Sequence, residues 1–467
     1  MKLAGQSANA GKYWFVLFNS HLFLLIFLPI AVAAFHLSPS RFRLFILFSA
    51  SMIFYAWAGI KPAVFMVLSI LWVHGVTAMP ATIDKRWRYG LIAAFPALVL
   101  FLFRFLDFTL DNFGDADSTR QTFSFFLDVL IPAGISFYTL QIIAYGIDVV
   151  AGRFEREKRL INLAAFVTFF PQLIAGPIVR YHAVAAQFRS IARTRDINFD
   201  FEGGFRLLAI GLLMKVFGAD IMGILADRFE PNAEASGTDA WISTIAYSLR
   251  IYFDFFAYST IAIGLGRLLG IELPVNFLTP YQAPNPRTFW RRWHVTLSLW
   301  LRDYIYIPLG GNASYVRNIM IVFAVCGLWH GAQWNFVIWG LYHAALVLIY
   351  TASRPAWDRL PEFLQRLMCF TLVTLGWPLF YLDLGQYITL LGVLMSPSTW
   401  WFGVYYPLTD VALVGGVAML TVFPEIIGQW PRRLMNKAFY LAPVQVSAIV
   451  IAIMFFHITD TFIYFRF

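Results

Sequence analysis

Two histidines lie where their chemistry is hard to explain by solvation alone. His294 sits in Trp290-Arg-Arg-Trp-His-Val-Thr-Leu-Ser-Leu-Trp300, and His330 sits in Gly327-Leu-Trp-His-Gly-Ala332, inside a long apolar stretch. An imidazole is the side chain whose ordinary pKa lies nearest neutrality, so it can take a proton from a hydroxyl and return it. Inside a bilayer such a ring is costly, and ionisable residues kept there mark functional sites. The other histidines carry less. His343 lies one helical face beyond His330 and reads as a packing residue; His21, His36, His74 and His457 are isolated or near segment ends; His182 is in a basic loop. No HExxH motif or close His/Cys pairing occurs, so no zinc site is expected. Cys326 and Cys369 both lie in apolar segments and give no disulfide framework. GxSxG, Walker A and GxGxxG motifs are missing, so hydrolase, ATPase and dinucleotide readings lack local support.

The elements that position the pair can be read from pattern. Asn285-Pro286 is an N-cap followed by proline at the first helical position, and it predicts a helix running to about Tyr306. On a 3.6-residue period Trp290, Trp293, His294, Leu297, Leu301 and Tyr304 form one stripe, while Arg291 and Arg302 share another face. Two readings stand: an interfacial helix with Trp and Arg anchors, or an inward-facing catalytic histidine. For His330, the apolar run Asn318–Leu328 covers about 16 Å, half of a core about 30 Å thick, which places the ring near the midplane. There it either bonds a neighbouring helix carbonyl or transfers protons.

Composition sets the medium. The chain has 467 residues, 60% hydrophobic and 13% charged, against about 45–50% and about 25% in soluble domains. A polytopic, all-α membrane protein follows. Candidate spans of about 20 residues run near 14–37, 44–60, 63–80, 89–107, 122–147, 204–226, 238–264, 318–350, 368–382, 386–406, 408–428 and 441–460. No repeat or soluble domain interrupts them, so residues 1–467 read as a single transmembrane domain. The net charge of +9 is concentrated in loops such as 148–160 and 265–317, which the positive-inside rule assigns to the cytoplasm. Loops 108–121 and 227–239, rich in Asp and Glu, then fall outside. This charge pattern suits anionic lipid and does not call for nucleic acid. Leu160–Pro177 is apolar between two basic flanks and contains Pro171 and Gly176-Pro177, which predicts a re-entrant or half-buried segment.

Several stretches together resemble the membrane-bound O-acyltransferase (MBOAT) family, in particular the bacterial branch of alginate O-acetyltransferase membrane subunits. They are Ile131-Pro-Ala-Gly-Ile-Ser-Phe-Tyr-Thr-Leu-Gln141, Phe170-Pro-Gln-Leu-Ile-Ala-Gly-Pro-Ile-Val179, Ile251-Tyr-Phe-Asp-Phe255, Ile261-Ala-Ile-Gly-Leu-Gly-Arg267, the Trp-Arg-Arg-Trp-His stretch, Ile307-Pro-Leu-Gly-Gly-Asn312, Gly327-Leu-Trp-His-Gly-Ala332 and Phe462-Ile-Tyr-Phe-Arg-Phe467. The motif-bearing core covers about 130–350. The chain departs from the pattern at Phe256-Ala-Tyr-Ser-Thr260, where relatives carry Ser-Gly-Tyr-Ser-Asp, and over Tyr281–Arg287.

The resemblance implies an MBOAT fold of about 11 spanning helices, with re-entrant or interfacial helices, enclosing a tunnel. It implies an O-acetyltransferase of the bacterial inner membrane. His330 matches the principal catalytic histidine, and His294 the second. Asp254, Arg291, Arg292, Arg302, Tyr304, Trp329 and Trp334 are candidate donor or tunnel contacts. Acetyl-CoA is the implied donor, with no metal; an exported polysaccharide is the acceptor, and a periplasmic acetyltransferase of the serine-esterase type is the partner. The alternatives are D-alanyl transfer from a carrier protein to teichoic acid, and a transporter without enzymatic activity.

Overall fold

The computed structural model describes residues 18–57, 59–113, 126, 134–174, 176–194, 199–229, 236–396, 406–427, 439–456 and 462–463. Asp115, Asp117, Arg120, Arg195, Glu230, Glu234 and His457, and the motif positions 131–133, 175 and 464–467, lie outside them. Among the described residues the architecture is helical throughout, with no strand. Among the described residues six helices are long and apolar enough to cross a membrane: Ile60–Thr77, Lys85–Asn112, Phe201–Ala226, Gly311–His330, Trp334–Trp357 and Glu362–Phe380. Shorter apolar helices, among them Phe23–Leu37, Ile135–Ala151, Leu384–Met395, Leu408–Val422 and Ala442–Met454, accompany them. The described residues divide into two compact units, one of 1–205 with 261–274, the other of 206–260 with 275–467.

The first unit is built from α1 (Leu28–Leu37), α2 (Ser40–Ala56), α3 (Ile60–Thr77), α4 (Lys85–Leu100), α5 (Ile135–Ala151), α6 (Leu160–Thr168) and α7 (Tyr181–Ile191). Gly152, at φ 75°, ends α5 in the left-handed conformation that glycine adopts without penalty. The expected break in 160–177 is present. The nine residues of α6 reach about 14 Å and cannot cross a bilayer; the chain turns at Phe169 and restarts as Phe170–Leu173. Phe166, Phe169 and Phe170 are fully buried, and Gln172 Nε2 donates to the Phe166 carbonyl at 2.6 Å, supplying a partner where the helix stops. The α5–α6 loop is fixed by Glu157. Its carboxylate accepts from Tyr181 Oη at 2.8 Å, Arg189 Nε at 2.9 Å and the Arg159 backbone N–H at 3.0 Å, while its own N–H donates to Tyr145 Oη at 3.0 Å. Burial opposes ionisation, but these donors outweigh it and hold the carboxyl below its ordinary pKa.

The second unit takes residues 237–260 of α8 (Gly237–Leu268), then α9 (Pro286–Arg292), α10 (Val295–Leu301), α11 (Tyr315–His330), α12 (Trp334–Trp357) and α13 (Glu362–Gly376). The candidate stretch 318–350 is two helices, in keeping with its two apolar runs, 318–328 and 336–350, on either side of Gly331. Residues 331–333 reverse the chain, and α11 and α12 return against each other at close range: a Cβ on Gly327 would lie 2.1 Å from the Phe336 carbonyl oxygen, and one on Gly340 would lie 2.1 Å from that of Phe323. The helix also starts earlier than expected. Sixteen residues from Tyr315 to His330 measure about 24 Å.

Candidate active site

The helix expected over 286–306 is broken at the first histidine. Asn285 Oδ1 accepts from Thr288 N at 2.8 Å and caps α9 as its sequence foretells. The helix then stops at Arg292, and His294 adopts φ 44°, ψ 55°, a left-handed conformation uncommon for a side chain other than glycine, Asn or Asp. The apolar period runs across the break, which is why the sequence reads as one stripe. What breaks it is hydrogen bonding from elsewhere. Ser298 Oγ donates to the carbonyls of Trp290 (3.1 Å) and Trp293 (3.3 Å), which a continuous helix would satisfy with its own N–H groups. The extended segment 276–278 laces onto the bend: Val295 N donates to Asn276 O at 2.9 Å, and Leu278 N to Arg292 O at 3.0 Å. Arg291 and Arg302 therefore share no helical face. Arg302 pairs with its neighbour Asp303 at 2.6 Å in a further, wider turn, Arg302–Tyr306.

The bend aims the His294 ring into the core. The residue is 2% exposed. Asn276 Oδ1 accepts from Thr296 Oγ1 at 2.9 Å and from Thr296 N at 3.4 Å, which fixes the amide orientation, and it lies 3.1 Å from His294 Nδ1. Nδ1 is thus the protonated nitrogen and Nε2 carries the lone pair. Burial pushes the imidazole's pKa down to about 3, so the ring is neutral throughout the physiological range.

His330 ends α11 and is 3% exposed. Its ring is enclosed by those of Trp329 (4.8 Å between centroids), Trp339 (5.0 Å) and Phe380 (5.3 Å). Phe380 is held in place by Phe336 at 5.1 Å and by the bond from Asn335 Nδ2 to the Leu379 carbonyl, 2.7 Å. Gly331 allows the turn to close on this cage, since a Cβ there would meet the Phe336 ring at 2.1 Å. Trp329 joins the two sites, with its ring 6.0 Å from His294 and adjacent to His330.

The structure therefore brings together His294, Trp329 and His330. The other predicted contacts are not gathered there. Trp334 is half exposed at the start of α12, Arg291 is exposed, Arg292 reaches the Gln282 carbonyl at 3.4 Å, and Tyr304 packs on Trp300 at 5.1 Å. Asp254 is engaged with Lys215 at 3.0 Å. Thr260, at the position where relatives carry an acid, bonds back to the Phe256 carbonyl at 2.7 Å within its own helix.

One residue of the site was not foreseen, and a second, His343, was expected only to pack. Asn276 stands in a short extended stretch with no motif to announce it. His343 is fully buried among the rings of Trp290 (5.0 Å), Trp339 (5.0 Å) and Tyr342 (5.2 Å), and neither of its ring nitrogens has a hydrogen-bond partner among the described residues. It shares Trp339 with His330. The available signal was its spacing, four residues after Trp339 and thus on the same helical face.

The family model of the membrane-bound O-acyltransferases matches residues 156–367, which carry both histidines. The probable alginate O-acetylase AlgI of Azotobacter vinelandii is 37% identical over 380 residues, covering 78% of this chain and 75% of that protein. The chain belongs to the membrane-bound O-acyltransferase family. A peptidoglycan O-acetyltransferase of Helicobacter pylori is 34% identical over 416 residues, 79% of this chain and 77% of that protein. A teichoic acid D-alanyltransferase of Streptococcus thermophilus is 26% identical over 308 residues, 62% and 70%. This MBOAT chain is accordingly a multi-pass membrane O-acyltransferase.

Proposed function

We propose that this acyltransferase moves an acetyl group from cytoplasmic acetyl-CoA, across the bacterial inner membrane, to hydroxyls of an exported alginate-like polysaccharide. A periplasmic acetyltransferase of the serine-esterase type completes the delivery. The observation that carries the reading is the pair of buried histidines meeting at Trp329. His330 serves as general base: it takes the hydroxyl proton as the oxygen attacks the thioester carbonyl, the C–S bond breaks, and the proton passes on to the thiolate. Such a base contributes about 10²–10⁴-fold, and a site closed by aromatic rings limits hydrolysis of the thioester. His294, held neutral and oriented by Asn276, offers one fixed ring nitrogen to donor or acceptor. Identity of 34–37% to O-acetyltransferases against 26% to the D-alanyltransferase favours acetyl as the cargo.

The test is transfer from labelled acetyl-CoA in membrane vesicles, with wild type and His330→Ala compared against alginate oligomers. Loss of transfer in a folded His330→Ala protein is expected. Full transfer by that variant would sink the assignment.

A further inference from the structure

Three charged side chains lie in the interior of the second unit without a place in the chemistry described above. Lys215, Asp220 and Asp254 are 1%, 3% and 1% exposed. Lys215 Nζ contacts Asp220 Oδ1 at 2.6 Å and Asp254 Oδ1 at 3.0 Å. The first contact needs a special backbone. Residues five apart on an α-helix point about 140° away from each other. Here Met214–Asp220 forms a wider helical turn with i→i+5 bonding, which brings Lys215 and Asp220 to one side. The other Asp254 oxygen, Oδ2, accepts the backbone N–H of Ile463 at 2.7 Å. Phe462 and Ile463 are buried (0% and 1% exposed), and the Phe462 ring packs on Tyr258 at 4.1 Å and on Phe255 at 6.0 Å. Phe255 in turn meets the His294 ring edge-on at 4.7 Å.

Stability alone does not explain this arrangement. A buried ion pair can often be replaced by apolar residues of similar volume without loss, because desolvation offsets the attraction. An apolar residue cannot, however, accept a hydrogen bond from one chosen backbone N–H. A carboxylate can, and the charge makes that bond short and strong. Lys215 Nζ, 3.0 Å from the other oxygen of that carboxylate, supplies the opposite charge beside it.

We infer that Lys215, Asp220 and Asp254 form a buried clasp that holds the Phe462–Ile463 segment against the α8 face bearing Phe255 and Tyr258, and so positions His294. Asp254 and Lys215 act as positioning residues, through Phe462 and Phe255 on His294. The clasp rests on the proposed acetyl transfer only for its consequence at His294, not for its geometry. Two measurements on the full-length chain in detergent separate these. Backbone hydrogen exchange over 462–463, read by mass spectrometry without substrate, is expected to speed up at least about ten-fold in Asp254→Asn and in Lys215→Met, with the α11 and α12 peptides unchanged. Acetyl transfer is expected to fall about ten-fold in kcat with the donor KM unchanged. A cycle of thermal midpoints is an independent check: with residues 462–467 deleted, Asp254→Asn should lower the thermal midpoint less than it does with them present. Wild-type exchange at 462–463 in folded Asp254→Asn, or an equal midpoint loss with and without the tail, overturns the clasp. Wild-type protein that shows slow exchange and no acetyl transfer overturns the proposed function and leaves the clasp standing.

Discussion

Glu157 in the first unit and the histidine pair in the second are both buried and polar, yet they are surrounded in opposite ways. Glu157 is met by a phenol, a guanidinium and a backbone N–H, each at 2.8–3.0 Å. His330 is met by tryptophan and phenylalanine rings at 4.8–5.3 Å. Saturated hydrogen bonding fixes a loop and leaves nothing to react. An aromatic enclosure gives shape and dryness around a ring that can change its proton. Burial alone therefore does not identify a reactive group; the chemistry of its neighbours does.

The sharpest way to break this contrast is to exchange the readouts. His330→Gln is expected to lower acetyl transfer by about 10²–10⁴-fold, with the thermal midpoint in detergent little changed. Glu157→Leu is expected to do the reverse. It strands the donors of Tyr181 and Arg159, at about 2–3 kcal/mol once the partly exposed Arg189 is discounted, and protein that still folds retains its turnover per molecule. Equal losses of stability from both substitutions would erase the distinction. Within the histidine pair, Asn276→Ala sharpens it. The backbone bonds from Val295 to Asn276 and from Leu278 to Arg292 survive that change, so the bend persists while the His294 tautomer is released. A loss of about ten-fold in kcat is expected with normal folding. Unchanged kcat would show that the orientation of His294 is immaterial.

Much of this contrast was readable in the chain, for definite reasons. The two histidine motifs are linear, so their residues carry their own signal, and the Asn285-Pro286 cap is local. The helix break at His294 was invisible because Trp290, Trp293, Leu297 and Leu301 keep helical spacing across it, while its causes, Ser298 Oγ and the remote Asn276, leave no trace in periodicity. Gly331 marked the boundary between two apolar runs, but the close return of α12 on α11 left no mark in either. Lys215 and Asp220 look unrelated until a widened helical turn brings them to one side. In the first unit, Pro171 and Gly176 announced the broken segment, but nothing in the spacing of Glu157, Tyr181 and Arg189 foretold that they meet.

A pH dependence of stability separates the two regions by window. The His294 pKa is lowered to about 3 in the folded protein, against an ordinary value near 6.5. Between those values the unfolded chain binds the extra proton, so stability is complete above about pH 6.5 and declines as the pH falls below it. Glu157 is shifted downward too, but it is a carboxyl: its contribution is complete above its ordinary pKa, near 4.5, and is lost only as the pH falls further, through the folded value. Thermal midpoints of wild type from pH 8 to 4 should thus begin to fall near pH 6.5. In His294→Asn, a residue that tolerates the left-handed backbone, the fall between pH 6.5 and 4.5 should flatten. In Glu157→Gln that stretch should keep its slope and only the decline below pH 4.5 should shrink. If His294→Asn leaves the upper window unchanged, the ring is not held neutral by burial, and the contrast between a dry histidine site and a hydrogen-bonded latch fails at its physical root.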